Sequence, residues 1–322
     1  MEATCGYARN VPIPRFIPQL GGTPPLECRR AGPDDRPAAV AFALGTTVRG
    51  VPDVERRARA EGLDLGHAWT GWRGRGFVGS AIVIPHPGRT SLLVAGRPRD
   101  EPHADDLGLI IRHALADREA LPGTHVVQAL LEPGDAESAH ALRAGGLLKL
   151  ATLEYQERGP GTPIERVEPP GGCEVLPWSD HDRSDLAELL ARTSVDSLDC
   201  PGLSAMRDPA DVAEGHLATC ANDTSGWHVA RMQGRIAGVA LVAVHAQPRT
   251  VDLVYLGLVP EARGIGLGRA LLHGALRDAA MRRQAPVSLA VDVRNTPALR
   301  AYARAGFVPV RRRDAWIASV RA

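Results

Sequence analysis

The chain has 322 residues, enough for two domains. Its 38 Lys and Arg nearly cancel its 37 Asp and Glu, so no charge imbalance directs it to nucleic acid or an anionic membrane surface, and no apolar run is long enough to cross a bilayer. The five cysteines lack Cys-x-x-Cys pairing and the eleven histidines form no His-Glu-x-x-His. This points to reduced thiols in a cytoplasmic protein and to no metal site.

In chain order, residues 1–25 are proline-rich without a signal-peptide core and read as a flexible surface tail. A first α/β unit occupies 26–157. A strand-like run opens at Thr90, a helical pattern covers 107–115, a strand 124–131 and a second helix 135–143. A Pro/Gly-rich linker, 158–172, leads to a second unit, 173–322. There the pattern predicts a strand at 174–178, helices over 180–192 and 209–220, and a hairpin of 227–232 with 236–245 about Gln233-Gly234. A β-branched strand then runs over 252–259 and stops at Pro260. Closing strands are expected at 308–311 and 315–320, and Arg311-Arg312-Arg313 reads as a solvated strand edge.

The most informative stretch follows Pro260. Arg263, Gly264, Ile265, Gly266, Leu267, Gly268 and Arg269 form a glycine loop that opens a helix with apolar Leu267, Leu271, Leu272 and Leu276. The first turn of such a helix presents N–H groups with no internal partner, and its dipole adds positive charge, so the loop suits a diphosphate. No Lys-Ser/Thr follows the last glycine, which excludes a P-loop, and the spacing is not that of the dinucleotide fingerprint. Further on, 286–293 reads as a buried strand. Asn295 or Thr296 can cap a helix with Pro297 in its first turn, and Gly306 ends it.

Arg263, Gly266 and Gly268 in an Arg-x-x-Gly-x-Gly pattern, followed by Asn295, Ala298, Tyr302, Gly306 and Phe307, resemble the acyl-CoA loop and closing helix of the GCN5-related N-acetyltransferase (GNAT) family. The resemblance implies acetyl-CoA as donor and a mixed, mostly antiparallel α/β (α+β) sheet flanked by helices. It implies that Leu258 and Val259 offer backbone groups to the pantetheine arm, and that Tyr302 protonates the leaving thiolate. The stretch from Asp252 to Pro260 is similar to the central strand of the tandem, mycothiol-synthase-like branch, where Asp252 falls on a glutamate. Asp252 is therefore the candidate base, with Asp292 the second choice. The resemblance implies N-acetylation of a small-molecule amine by direct attack in a ternary complex, by a monomer or homodimer. A non-catalytic acyl-CoA sensor or a protein N-acetyltransferase is the alternative.

An internal repeat supports a tandem of two such folds. At an offset of 160, Leu107-Gly108 matches Leu267-Gly268, His113 matches His273, and Gly146-Leu147 matches Gly306-Phe307. The copies differ chemically. His103-Ala104-Asp105-Asp106 stands where the second copy has Arg263-Gly264-Ile265-Gly266, and Leu142 stands at the position of Tyr302. A carboxylate at Asp106 would repel a diphosphate, so the first copy is expected to keep the fold without the cofactor loop.

Overall fold

The computed structural model describes residues 23–119, 121–179, 185–245, 250–283 and 285–320. Most of the expected N-terminal tail and the first residues of the helix expected at 180–192 lie outside them. The first half runs β1 (Leu26–Arg30), α1 (Arg36–Ala43), α2 (Val51–Ala60), β2 (Ala68–Arg73), β3 (Gly76–His86), β4 (Thr90–Ala95), α3 (Glu101–Ala116), β5 (Val126–Leu131), α4 (Ala136–Ala144) and β6 (Leu148–Arg158). The second half repeats the order with one extra short helix: β7 (Cys173–Pro177), α5 (Leu186–Ser194), α6 (Leu203–Met206), α7 (Pro209–Thr219), β8 (His228–Met232), β9 (Arg235–His245), β10 (Thr250–Leu258), α8 (Leu267–Arg283), β11 (Val287–Asp292), α9 (Thr296–Arg304) and β12 (Val308–Ser319).

All these strands join one sheet in the order β1-β2-β3-β4-β5-β12-β6-β11-β10-β9-β8-β7. The last strand of each half is exchanged. β6 pairs with β11 of the second half, β12 pairs with β5 of the first, and β6 and β12 pair antiparallel at the centre. The two expected closing strands are thus one continuous β12 with two register shifts. Arg311-Arg312-Arg313 lies where β12 pairs with β6 alone, because its pairing with β5 starts at Asp314, so this stretch is the expected strand edge, with Arg311 and Arg312 exposed. Arg311 stacks 4.7 Å above the Tyr155 ring, Arg312 pairs with Glu154 at 2.7 Å, and Arg313 pairs with Glu132.

The exchange also mixes the cores. Trp316 of β12 packs in the first half's core with Trp69, Leu107, Ile110 and Ile111. Burying a side chain of that size contributes roughly 2–3 kcal/mol to holding the halves together. In the second half, Leu267, Leu271, Leu272 and Leu276 make an apolar stripe on α8, packed on Val251, Leu253, Val287 and Leu289. Arg158, at the end of β6, is almost fully buried beneath α9. Its Nε donates to the Ala305 carbonyl (2.8 Å) and Nη2 donates to the Thr162 and Pro163 carbonyls.

The feature that makes the site is a splay. β10 pairs in parallel with β11 only at Val251 with Val287 and Asp252 with Ser288. Beyond that point the strands part, while a bulge between Leu253 and Tyr255 shifts the register on the β9 side. The backbone left between them opens into a cleft.

Candidate active site

A cavity of about 720 Å³ fills the cleft, with Asp199, Tyr255, Leu258, Arg263, Asn295 and Tyr302 among its lining residues. The chain between β7 and β8 covers it, contributing side chains from α5, the following loop and α7. Tyr302 sits on α9, nearly buried, its ring edge-on to Phe307 with centroids 5.8 Å apart. Burial, then the negative charges of Asp199 and of an ionised Tyr255, push its phenol above the usual tyrosine range. A phenol so placed keeps its proton at neutral pH and can give it to a stronger base. Asn295 is the N-cap of α9 and accepts from the Ala298 N–H at 3.3 Å.

The loop before α8 has the backbone its glycines require. Gly264 and Gly266 hold φ of +78° and +93°, a region side chains disfavour. A Cβ at Gly264 would meet no atom, and one at Gly266 only Pro170, so the space above the loop is open. The N–H groups of residues 264–268 make no hydrogen bond to the protein among the described residues. Unpaired N–H groups at a helix head form a nest for an anion. Ile265 is exposed and Leu267 is core. Gly268 packs close to Leu258, and Arg269 pairs with Glu165 at 2.7 Å.

Three expectations need correction. Arg263 lines the cavity, but its guanidinium donates to the carbonyls of Leu258, Thr193, Val195 and Asp196, closing the C-terminus of α5 instead of reaching for phosphate. The same contact uses the Leu258 carbonyl, and the Val259 N–H donates to Ala237 at 2.9 Å, so these two groups are not free for a pantetheine arm. Asp252 is not brought to Tyr302. It is half-buried beside β11, bound to His245 Nε2 at 2.9 Å and to the Ser288 hydroxyl, and is not among the lining residues. Asp292 is fully buried. Burial pushes its carboxyl up, but hydrogen bonds from Arg294 and the Cys200 N–H outweigh this and hold it below the usual range, making it a poor base.

The site also contains residues the sequence did not reveal. The Asp199 carboxylate accepts from the Asp292 N–H at 2.8 Å and lines the cavity with Tyr302 and Tyr255, and burial raises its pKa. Tyr255 shares a 2.7 Å hydrogen bond with Thr193, and its ring centroid lies 5.4 Å from His216 on α7. Burial and then Arg207 push His216 down to about 4, so it is neutral at pH 7. Asp199 lies in a loop without periodicity. The only sequence signal near it is the Cys200-Pro201-Gly202 turn.

In the first half the loop is gone. α3 starts at Glu101, where the repeat offset would place its start at Leu107, and Asp100 caps it by accepting from the His103 N–H at 2.9 Å. Asp106 pairs with Arg73 at 2.6 Å, Ala104 is fully buried, and Leu142 lies in the core. This half instead braces the cavity. Its β3–β4 turn packs on α7 so closely that a Cβ at Gly88 would strike the Asp211 carbonyl and come within 3.0 Å of the Gly215 nitrogen.

Residues 192–307 match the model of the acetyltransferase (GNAT) family. An uncharacterized N-acetyltransferase of Mycobacterium bovis is 33% identical over 132 residues, which are 39% of this chain and 83% of that protein. The chain belongs to the GNAT family. Among GNAT relatives, a mycothiol acetyltransferase of Streptomyces bingchenggensis is 32% identical over 180 residues, covering 54% of this chain and 56% of the relative. The chain thus spans about half the length of such curated relatives. The crystal structure of a GCN5-related N-acetyltransferase from Sphaerobacter thermophilus superposes with a TM-score of 0.60 at 20% identity, covering 93% of this chain and 98% of that one. The whole two-part architecture is therefore a GNAT fold arrangement already seen in a solved structure. Among the described residues, no helix is long and apolar enough to cross a membrane.

Proposed function

We infer that the chain is an acetyl-CoA-dependent N-acetyltransferase, with residues 173–322 as the catalytic unit, 26–157 as a degenerate partner and 158–172 as the connection. Its acceptor is a small amine, attacked directly while donor and acceptor share the cleft. The observation that carries this is the row of unpaired N–H groups at 264–268, next to Arg263 and Leu258, which line the same cavity as Tyr302. A diphosphate suits that nest because Gly264, Gly266 and Gly268 bring no Cβ to it and the loop's unpaired N–H groups can donate to an anion. Residues 264–268 would hold the diphosphate. Acetyl-CoA supplies an acyl group already activated as a thioester.

The chain's own residues then manage protons. Asp199 takes the proton that an ammonium must lose before nitrogen can attack the acyl carbon. As the C–N bond forms and the C–S bond breaks, Tyr302 Oη gives its proton to the departing sulfur. The second proton on nitrogen returns to the tyrosine, and the one on Asp199 leaves to solvent. The cavity volume suits a small molecule more than a protein chain, which supports the small-amine acceptor. The likeness to a mycothiol acetyltransferase supports the donor and the transfer.

Calorimetric titration of acetyl-CoA tests the reading, followed by CoA release with a panel of amines. One site per chain with amine-dependent release is expected. Two sites would mean the first half also binds, and no binding would overturn the assignment.

A further inference from the structure

The cavity carries a carboxylate in one region and a guanidinium in another. Asp199 is held against the β11 side of the cleft, where it accepts from the Asp292 N–H at 2.8 Å, and it lines the cavity with Tyr302 and Tyr255. Arg207 is beside His216, whose imidazole feels its charge, and the His216 ring lies 5.4 Å from Tyr255. Asp199, the two tyrosines, His216 and Arg207 all line the cavity, Asp199 held at β11 and Arg207 with Nη2 beside Gly215 of α7.

The two cations lining the cavity differ in what they have left to give. Arg263 is spent on backbone carbonyls. Arg207 makes no hydrogen bond or ion pair among the described residues, and its Nε is buried without a partner. The carboxylate nearest in charge is Asp211, but that group is turned to Arg89 and His125 of the first half, each at 3.5 Å. A buried guanidinium nitrogen with no acceptor is costly, and an anion bound beside it recovers that cost. The planar fork of arginine matches a carboxylate in bidentate fashion. Asp199 offers the opposite charge where the amine must react.

We propose that the acceptor is a small amino acid, its amine held between Asp199 and Tyr302 and its free carboxylate on Arg207. The proposal rests on the acetyl-transfer reading and adds the second charged end of the substrate. Leu190, Val212 and Leu253 supply apolar wall for a short carbon chain.

The test pairs α- and ω-amino acids of two to six carbons with their carboxamides, which keep the amine and lose only the charge. CoA release and direct binding by calorimetry are measured for both sets. In the unmodified protein the acids should be favoured by about 10- to 100-fold, mainly in KM. Arg207→Gln should raise KM for the acids by that factor, leave kcat and the carboxamides unchanged, and Arg207→Lys should restore part of the preference. Equal use of acids and carboxamides by the unmodified protein would overturn the proposal while leaving the transferase reading intact. Binding of neither set would also overturn it. Acids that bind through Arg207 yet release no CoA would instead uphold the two-ended site and refute the transferase reading.

Discussion

Gly266→Asp places in the second half the carboxylate that Asp106 places in the first. Two effects are expected, and Gly266→Ala separates them. At φ +93° any side chain adds roughly 1–3 kcal/mol of backbone strain, expressed either as lost stability or as a relaxed loop that binds less well. Both variants carry this. Only Asp adds charge. At an effective dielectric of about 20 and a separation of about 5 Å from a phosphate, one pair of like charges costs about 3 kcal/mol. Asp should therefore bind acetyl-CoA on the order of 100-fold more weakly than Ala. The gap should narrow with added salt. A Cβ at Gly266 approaches nothing nearer than Pro170 at 4.0 Å, so both proteins should fold. Calorimetric titration at two ionic strengths reads the difference. Equal dissociation constants for Asp and Ala would refute the assignment of the 264–268 nest to the diphosphate.

Tyr302→Phe should lower kcat by about 10²- to 10⁴-fold, as for loss of a general acid, with acetyl-CoA affinity unchanged; a preserved kcat would make the phenol structural. Gly88→Ala, far from any reacting group, should destabilise the protein by roughly 2 kcal/mol or more and raise acceptor KM, because its Cβ pushes on α7. An unchanged acceptor KM in a folded variant would show that the first half does not shape the cavity. The Asp292 carboxyl, held below its ordinary value, contributes stability that is full above about pH 4 and is lost as pH falls through its lowered folded pKa. Acid titration of Asp292→Asn, followed by circular dichroism, should lack that component of the pH dependence.

The glycine loop, the Tyr302 helix and the repeat were legible because each is a local pattern. Glycines at fixed spacing, an Asn cap with Pro297 behind it, and an offset of 160 survive without knowledge of the fold. What was not legible depends on where distant segments meet. Asp252 had the right strand and the right residue type, but the direction of its side chain is set by its cross-strand partners, which place it on His245 and Ser288. Arg263 stood in the motif, yet its guanidinium is taken by the end of α5, some seventy residues earlier. Asp199 and Arg207 come from irregular chain between α5 and α7, where neither periodicity nor capping marks a residue as facing a cavity. The single β12 was hidden because its arginines look like a break in an apolar strand. The exchanged partner β6 supplies Tyr155 and Glu154 to receive Arg311 and Arg312, and Glu132 at the end of β5 receives Arg313.

That exchange bears on why a half without a cofactor loop persists. Deleting residues 26–158 would remove β6 from between β11 and β12, together with Arg158, which supports the end of the Tyr302 helix. Truncation at the linker would strand Trp316 without the core it fills. The second half is thus not a detachable module, because the first half supplies a strand and a core that it needs. Any shortened form that keeps the cleft must therefore also keep β6 and the core that Trp316 fills.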